Sequence, residues 1–309
     1  MFGINTLRSN STYSPRGFYG YKNIDEPVKG LNSNSPPFEA EMKAMNVIVL
    51  VKQVPDIEKV KFNHKTGRLD RSSAGAVTNP FDLNALEAAV QIKEKAGATV
   101  TTISMGPPQA ESTLKDTLAR GADRAILLTD KKFAGADTLA TSYALASAIK
   151  KLGCFDLIIC GEKTVDGDTA QVGAEVAEHL GVPHISYVEE VREVTKDKIV
   201  VKSRIGRSYY LTEMKFPGLI TVTKDINIPR LPTLKNKLKT RKAKIEIWNA
   251  DNLADIAHVK KLGISGSPTW VVKVYTPPAG RRKGVIIKGE PKEIAKKIVT
   301  VLRDVGVLK

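Results

Sequence analysis

An α/β protein with a doubly wound, mostly parallel sheet is the fold class that this 309-residue sequence predicts. Short apolar runs bounded by Asp, Asn and Gly recur along it, and such runs read as strands buried on both faces. Between them lie longer segments with helical spacing, and this strand–helix alternation calls for crossover connections within one parallel sheet. One passage is the most informative. Asp156-Leu157-Ile158-Ile159-Cys160-Gly161 leads through Glu162-Lys163-Thr164-Val165-Asp166-Gly167 to Asp168-Thr169, then into a helical pattern over residues 170–180. Asp168-Thr169 is good helix-start chemistry. A parallel strand, a glycine-bearing turn and a helix N-terminus form an anion cradle above the strand's carboxyl end. Many such turns are merely connections, so the segment by itself leaves both readings open.

The elements follow in order. Residues 46–52 form the first strand, and Asn79-Pro80-Phe81-Asp82 opens an amphipathic helix that runs to residue 95. Proline there suits a first helical turn, where its missing N–H costs nothing. Residues 98–104 give the next strand, 107–120 a helix, 124–128 a short strand and 137–152 a helix with an Asp start. The passage above supplies the fourth strand and its helix. After Pro183 the texture becomes short and β-rich at 184–189, 199–204 and 209–213, a small antiparallel addition, and 216–222 adds one more apolar strand. Residues 225–290 have little core-forming periodicity and read as an arm that needs a partner surface; an amphipathic helix covers 291–305. Residues 1–44 are rich in Ser, Asn, Pro, Gly and Tyr without any period, the composition of a disordered leader. Arg8 and Arg16 among serines suggest a transit peptide, four acidic residues speak against one, and a start at Met45 is the simpler alternative. The expected divisions are therefore a leader over 1–44, an α/β domain over 45–224 and an arm over 225–309.

Composition excludes several function classes. No apolar run is long enough to span a bilayer, so a soluble, cytoplasmic protein is expected. Cys154 and Cys160 suit buried thiols in a reducing compartment better than a disulfide framework. His64, His179, His184 and His258 are scattered without ligand spacing, which argues against a zinc site or a triad. The formal charge of +15 is concentrated: seven Lys and Arg lie between Arg230 and Lys244 with no acidic residue, and Arg281-Arg282-Lys283 form a second group. Such fields favour an acidic partner, a nucleic acid or an anionic surface. No aromatic residue interleaves the first group, so a nucleic-acid partner is not expected. A solvated positive face is the plain alternative.

Together, several blocks resemble the beta subunit of electron-transfer flavoproteins. They are Val51-Lys52-Gln53-Val54-Pro55-Asp56; Asn79-Pro80-Phe81-Asp82 followed by Leu86-Glu87-Ala88-Ala89; Gly121-Ala122-Asp123-Arg124; and Val165-Asp166-Gly167-Asp168-Thr169-Ala170-Gln171-Val172-Gly173. Further on, Pro229-Arg230-Leu231-Pro232-Thr233-Leu234 and its following lysines are similar to the family's partner-recognition loop. The resemblance covers residues 45–309 and implies an α/β domain of the adenine-nucleotide α-hydrolase type. It also implies a heterodimer with an alpha subunit that holds an electron-transferring FAD. Leu50, Asn79, Pro80, Phe81, Asp82, Met105 and the loop from Gly161 through Thr164, Val165, Asp166, Gly167, Asp168, Thr169, Ala170 and Gln171 to Val172 should then surround an adenine nucleotide. Leu50 and Met105 end apolar strands and can pack on adenine, while backbone N–H groups from Gly167 to Gln171 and the Thr169 hydroxyl can hold phosphate. Asp166 and Asp168 would repel phosphate and should accept from ribose hydroxyls or backbone amides. Plain alternatives stand beside these: Asp168 as a helix cap, Asn79-Pro80 as a helix start, Met105 as core.

The loop from Asp166 to Gly173, with Val54-Pro55-Asp56, resembles the electron-bifurcating members, whose pocket holds the AMP half of a second FAD. Members that shuttle single electrons hold AMP there and show an Asp-rich loop followed by Asn-Gln-Thr. The bifurcating resemblance implies NADH as donor, a ferredoxin or flavodoxin as one acceptor, and a flavin dehydrogenase or quinone reductase reached through the alpha-subunit FAD. The flavin would carry the chemistry, with no side chain required as acid or base. Val54, Pro55 and Asp56 should line the isoalloxazine, or form a plain turn. Leu231 and Leu234 should anchor a partner, or pack internally. The AMP-holding carrier is the second reading, and a universal-stress-type nucleotide-binding regulator a distant third.

Overall fold

The computed structural model describes residues 21–23, 45–56, 61–63, 68–70, 75–270, 272, 284 and 286–308. Two compact units divide the chain, one through Trp270 and one from Val271.

The first unit is built on one ten-stranded sheet. Its strands in chain order are β1 (Tyr21–Asn23) and β2 (Asn46–Leu50), then, after two small ribbons formed by β3 (Gln53–Pro55) with β6 (Ala76–Thr78) and β4 (Lys61–Asn63) with β5 (Arg68–Asp70), β7 (Thr99–Met105) and β8 (Arg124–Leu128). There follow β9 (Leu157–Gly161), β10 (His184–Val194), β11 (Lys198–Ile205), β12 (Ser208–Lys215), β13 (Gly218–Val222) and β14 (Glu246–Trp248). The spatial order is β1-β12-β11-β10-β13-β9-β2-β7-β8-β14, parallel from β10 to β14 and antiparallel across the β10–β11–β12–β1 end. The helices are α1 (Pro80–Ala96), α2 (Glu111–Arg120), α3 (Thr138–Leu152), α4 (Val172–Leu180), α5 (Leu234–Thr240) and, in the second unit, α6 (Pro291–Asp304).

Side-chain alternation along the strands explains the layers. Val47, Val49, Leu157, Ile159 and Ile220 share one buried cluster with Ala85, Leu86, Ala89 of α1 and Leu114 of α2. Ile48, Leu50, Ile158, Cys160 and Leu219 face the other way and pack with Leu145, Ala148 and Ile149 of α3 and Val176 and Ala177 of α4. Successive strand residues point to opposite faces, so an all-apolar run is what a sheet covered on both sides demands. β2 lies between β7 and β9. The chain runs from β2 out through β7 to β8, then returns to β9 on β2's other side. The direction of winding reverses there, and the carboxyl ends of β2 and β9 are where a doubly wound sheet offers its crevice.

Several expectations need correction. α4 starts at Val172, two residues later than its apolar pattern suggests, because Asp168 and Ala170 take left-handed conformations (φ 53° and 55°) that no α-helix accommodates. Asp137 does cap α3, accepting from the N–H of Ala140 at 3.1 Å. The antiparallel segments are longer than expected and continue the main sheet. Past residue 224 the chain still contributes to the first unit: β14 pairs in parallel with β8, and Leu253, Ala257 and Leu262 are buried in the core. Cys160 is buried as expected, but Cys154, just past the end of α3, is exposed. Of the leader, Tyr21–Asn23 pairs with β12; the rest, and Arg281-Arg282-Lys283, lie outside the described residues. In the second unit α6 is amphipathic and none of its residues is buried; Ile298, Val301 and Val305 are exposed. No helix among the described residues is long and apolar enough to cross a membrane.

Ile158 is fully buried in β9, the strand at the centre of the layer contacts. Ile158→Ala should destabilise the protein by about 2–5 kcal/mol through lost burial and an unfilled cavity. Urea unfolding measures it, and a loss below about 1 kcal/mol would place β9 outside the cooperative core.

Candidate functional site

One buried carboxylate ties together the ends of β2 and β9. α1 begins at Pro80, so Asp82 falls in its first turn and points at the ends of β2 and β9. Its Oδ2 accepts from the N–H of Lys52 at 2.8 Å, and its Oδ1 from the N–H of Gly161 at 3.3 Å. The Lys52 N–H lies past the end of β2, and Asp82 takes it up where that strand stops, while its contact to the Gly161 N–H is a longer one at the last residue of β9. Asn79, fully buried, performs the neighbouring task. Its N–H donates to the carbonyl of Lys52, its Nδ2 to the carbonyl of Lys163, and its Oδ1 accepts from the N–H of Val165. Gly161 is required by this packing: a Cβ there would lie 2.5 Å from Asp82 Oδ1 and 2.7 Å from Phe81 Cβ. Gly173 is required likewise where α4 meets the sheet, since a Cβ would lie 2.7 Å from Thr221 and 2.8 Å from the Cys160 sulfur.

Burial pushes the Asp82 carboxyl up to about 7 from 3.8, although hydrogen bonds from Asn79, Lys52 and Gly161 and the Lys52 charge oppose the rise. The Cys160 thiol is raised by burial and by the nearby Asp82, so it stays protonated and unreactive.

The loop between β9 and α4 spends its polar groups unevenly. Gly167 N–H donates to Asp166 Oδ1 at 2.8 Å and Asp168 N–H to the Thr164 carbonyl at 2.9 Å. The N–H groups of Thr169, Ala170, Gln171 and Val172 find no acceptor among the described residues. Ala170 is left-handed and Gln171 right-handed (φ −109°, ψ −35°), a pairing that turns successive N–H groups toward one point. Both loop carboxylates are paired with lysines: Asp166 with Lys52, at 2.9 and 2.8 Å to its two oxygens, and Asp168 with Lys163 at 2.9 Å. Gly167 has no crowding reason to be glycine, because a Cβ there would touch only Thr164 Oγ1 at 3.5 Å.

The sequence-predicted residues thus divide. Leu50 is buried at the end of β2, while Met105 is half-buried at the end of β7 and packs against the same cluster. Phe81 is half-buried and carries the Lys163 ammonium 5.8 Å from its ring centre. Pro80 is exposed at the start of α1. Asn79 and Asp82 use their side chains to pin the chain. Val54, Pro55 and Asp56 belong to the β3–β6 ribbon rather than to a turn: Val54 is buried, Pro55 exposed, and Asp56 buried with its N–H on the Gly75 carbonyl at 2.7 Å. Gln53 ties this ribbon to α2 by donating to Ser112 Oγ at 2.9 Å. Lys52 and Lys163 were not predicted. Lys52 stands in a recognised motif, but its partner lies 114 residues away, so no local pattern reveals the pair.

Comparison with known proteins decides the family. Residues 66–253 match the electron transfer flavoprotein domain. The chain is 44% identical over 261 residues to the electron transfer flavoprotein subunit beta of Thermoanaerobacterium thermosaccharolyticum, covering 84% of this chain and 98% of that protein. The chain belongs to the electron transfer flavoprotein family. Within it the similarity is to beta subunits, including that of Megasphaera elsdenii, 46% identical over 80% of this chain and 92% of the relative. It extends to the caffeyl-CoA reductase–Etf complex subunit CarD of Acetobacterium woodii, 39% identical over 84% of this chain and 98% of the relative.

A second surface of this electron transfer flavoprotein chain lies at residues 227–240. Arg230 is clamped to α1: its Nε donates to Glu87 Oε2 at 2.8 Å, and its Nη2 to Glu87 Oε1 and Glu94 Oε2. Asn84 and Asn227 exchange hydrogen bonds, and Asn236 donates to the Ala119 carbonyl. On this fixed base Leu231, Leu234 and Leu238 are 84%, 74% and 59% exposed, so they do not pack internally. Leu234 opens α5, a helix the sequence did not predict, with Thr233 Oγ1 accepting from the Asn236 N–H. Beneath it is a cavity of about 280 Å³ lined by residues of α1, α2 and this segment, among them Val90, Ala119 and Leu231.

Because the folded Asp82 carboxyl binds a proton more tightly than the unfolded one, its contribution to stability is complete below about pH 4 and lost as pH rises through about 7. The urea midpoint of the native chain should therefore fall between about pH 5 and about pH 8 by more than that of Asp82→Asn. Equal falls would show that Asp82 titrates as an ordinary exposed carboxyl.

Proposed function

We propose that this chain is the beta subunit of a heterodimeric electron-transfer flavoprotein that holds the adenosine–pyrophosphate part of FAD in the crevice between β2 and β9. The observation that carries this reading is the loop itself: four unclaimed N–H groups at the start of α4, beside two carboxylates already neutralised by lysine. An anion can approach such N–H groups without desolvating a bare acid. Gly167, open where no protein atom crowds it, leaves room for that approach. The half-buried Met105 and Phe81 offer apolar surface for a purine, and the exposed Pro55 edge of the β3–β6 ribbon offers a wall for an isoalloxazine.

FAD bound here would accept a hydride from NADH and release its electrons singly. One electron would go to a ferredoxin or flavodoxin, the other through an alpha-subunit FAD to a flavin dehydrogenase or quinone reductase. This chain's residues would bind, orient and exclude water; no side chain acts as acid or base. The resemblance of the loop from Asp166 to Gly173 to bifurcating members favours FAD over AMP. Similarity to CarD, whose name places it in a reductase–Etf complex, supports a reductase-type partner. We place the complex in the cytoplasm, with α6 packed on the alpha subunit through its apolar stripe, and Leu231 and Leu234 anchoring the electron-accepting partner while the surrounding lysines steer it.

The co-purified heterodimer should contain two FAD, and Gly167→Val should lower that count toward one; one FAD with one AMP in the native complex would support the simple carrier instead. Leu234→Ala should slow electron transfer to the partner dehydrogenase by about tenfold, the scale of one lost apolar anchor. Flavin content and thermal midpoint should stay unchanged, and a variant that loses flavin or melts early would show that Leu234 is structural.

A further inference from the structure

The Lys52–Asp166 pair is misplaced for a stabilising contact. Both side chains are accessible, 45% and 30% exposed, and an exposed ion pair adds only about 0–1 kcal/mol to stability. Yet its geometry is specific. Lys52 lies two residues past the end of β2, and its own N–H is fixed by Asp82. From that anchored backbone its ammonium reaches both oxygens of Asp166, one of which also accepts from the Gly167 N–H. The Asp166 carboxylate is thereby held toward Lys52, three residues before Thr169, the first of the free N–H groups. Desolvation raises the Asp166 pKa, but the hydrogen bonds from Lys52, Thr164 and Gly167 and the Lys52 charge outweigh it and lower it below the usual carboxylate range, so the acid is ionised whenever the pair exists.

An ionised carboxylate beside a phosphate subsite repels its ligand unless a cation cancels it. We propose that Lys52 is a positioning residue for the nucleotide: it draws the Asp166 carboxylate aside and neutralises it, so that the N–H groups from Thr169 to Val172 meet an anion unopposed. This deepens the nucleotide-binding reading above and rests on it. Lys52 acts through Asp166 and need not touch the ligand. Its ionic partnership, not its bulk, is what matters, so arginine should serve in its place.

The test uses the heterodimer stripped of its beta-site nucleotide and re-bound with AMP at low and moderate salt, by calorimetry. Lys52→Gln should weaken binding about tenfold, Lys52→Arg should restore it, and thermal midpoints should not move, as befits an exposed pair. The deciding variant is the double substitution Lys52→Gln with Asp166→Asn: with the acid removed, binding should return to within about twofold of the native value. If the double variant binds as weakly as Lys52→Gln, the ammonium contacts the ligand directly and the proposal fails; unaltered binding in Lys52→Gln also overturns it. A native heterodimer that neither releases an adenine nucleotide nor rebinds one would instead sink the underlying reading of the site.

Discussion

The buried carboxylate of Asp82 is the point on which the architecture of the crevice depends. The N–H of Lys52, past the end of β2, has no ladder partner, and such a group is costly to bury unmet. Asp82 accepts it, reaches the Gly161 N–H of β9 at a longer distance, and so joins the first strand of the winding to the strand at which the winding reverses. Gly161 must then lack a side chain, Phe81 is fixed over the strand end, and the loop beyond begins from a defined position. Asn79 extends the clamp to Lys163 and Val165. The cost is visible in the carboxyl itself, which burial drives toward neutrality near physiological pH.

From that fixed start the loop separates acceptors from donors. Its two acids are turned to lysines and its first N–H groups are consumed internally, at Gly167 and Asp168. What remains facing the crevice is donor-rich, in spite of a sequence with two aspartates among three residues. The docking segment follows the same logic of a rigid base and an uncommitted tip. Glu87, nearly buried on α1, pairs with Arg230, and the guanidinium is held more strongly protonated by Glu94 and Glu87 together. The leucines beyond it stay exposed among the described residues.

Much of this was legible in the sequence, for identifiable reasons. β2 and β8 were readable almost to the residue because strands buried on both faces must be continuously apolar. α1 and α3 were readable because Pro80 and Asp137 mark their starts. The exposure of Leu231 and Leu234 agrees with the absence of any period around them, one of the two readings their sequence allowed. The start of α4 was not legible: Asp168-Thr169 has the composition of a cap, and only the left-handed backbone at Asp168 and Ala170 shows that the helix waits. β14 is three residues long and carries no pattern, so its pairing with β8 could not be foreseen. The Lys52–Asp166 pair joins residues 114 apart, and tertiary contacts of that range leave no local trace.

Amide hydrogen exchange on the heterodimer, with the beta-site nucleotide present and then removed, tests the central claim most directly. The account predicts that loading slows exchange at Thr169, Ala170, Gln171 and Val172, whose N–H groups would gain phosphate acceptors, while Gly167 and Asp168, already bonded within the loop, change little. Unchanged exchange at those four amides, with protection gained elsewhere on the sheet, would contradict it.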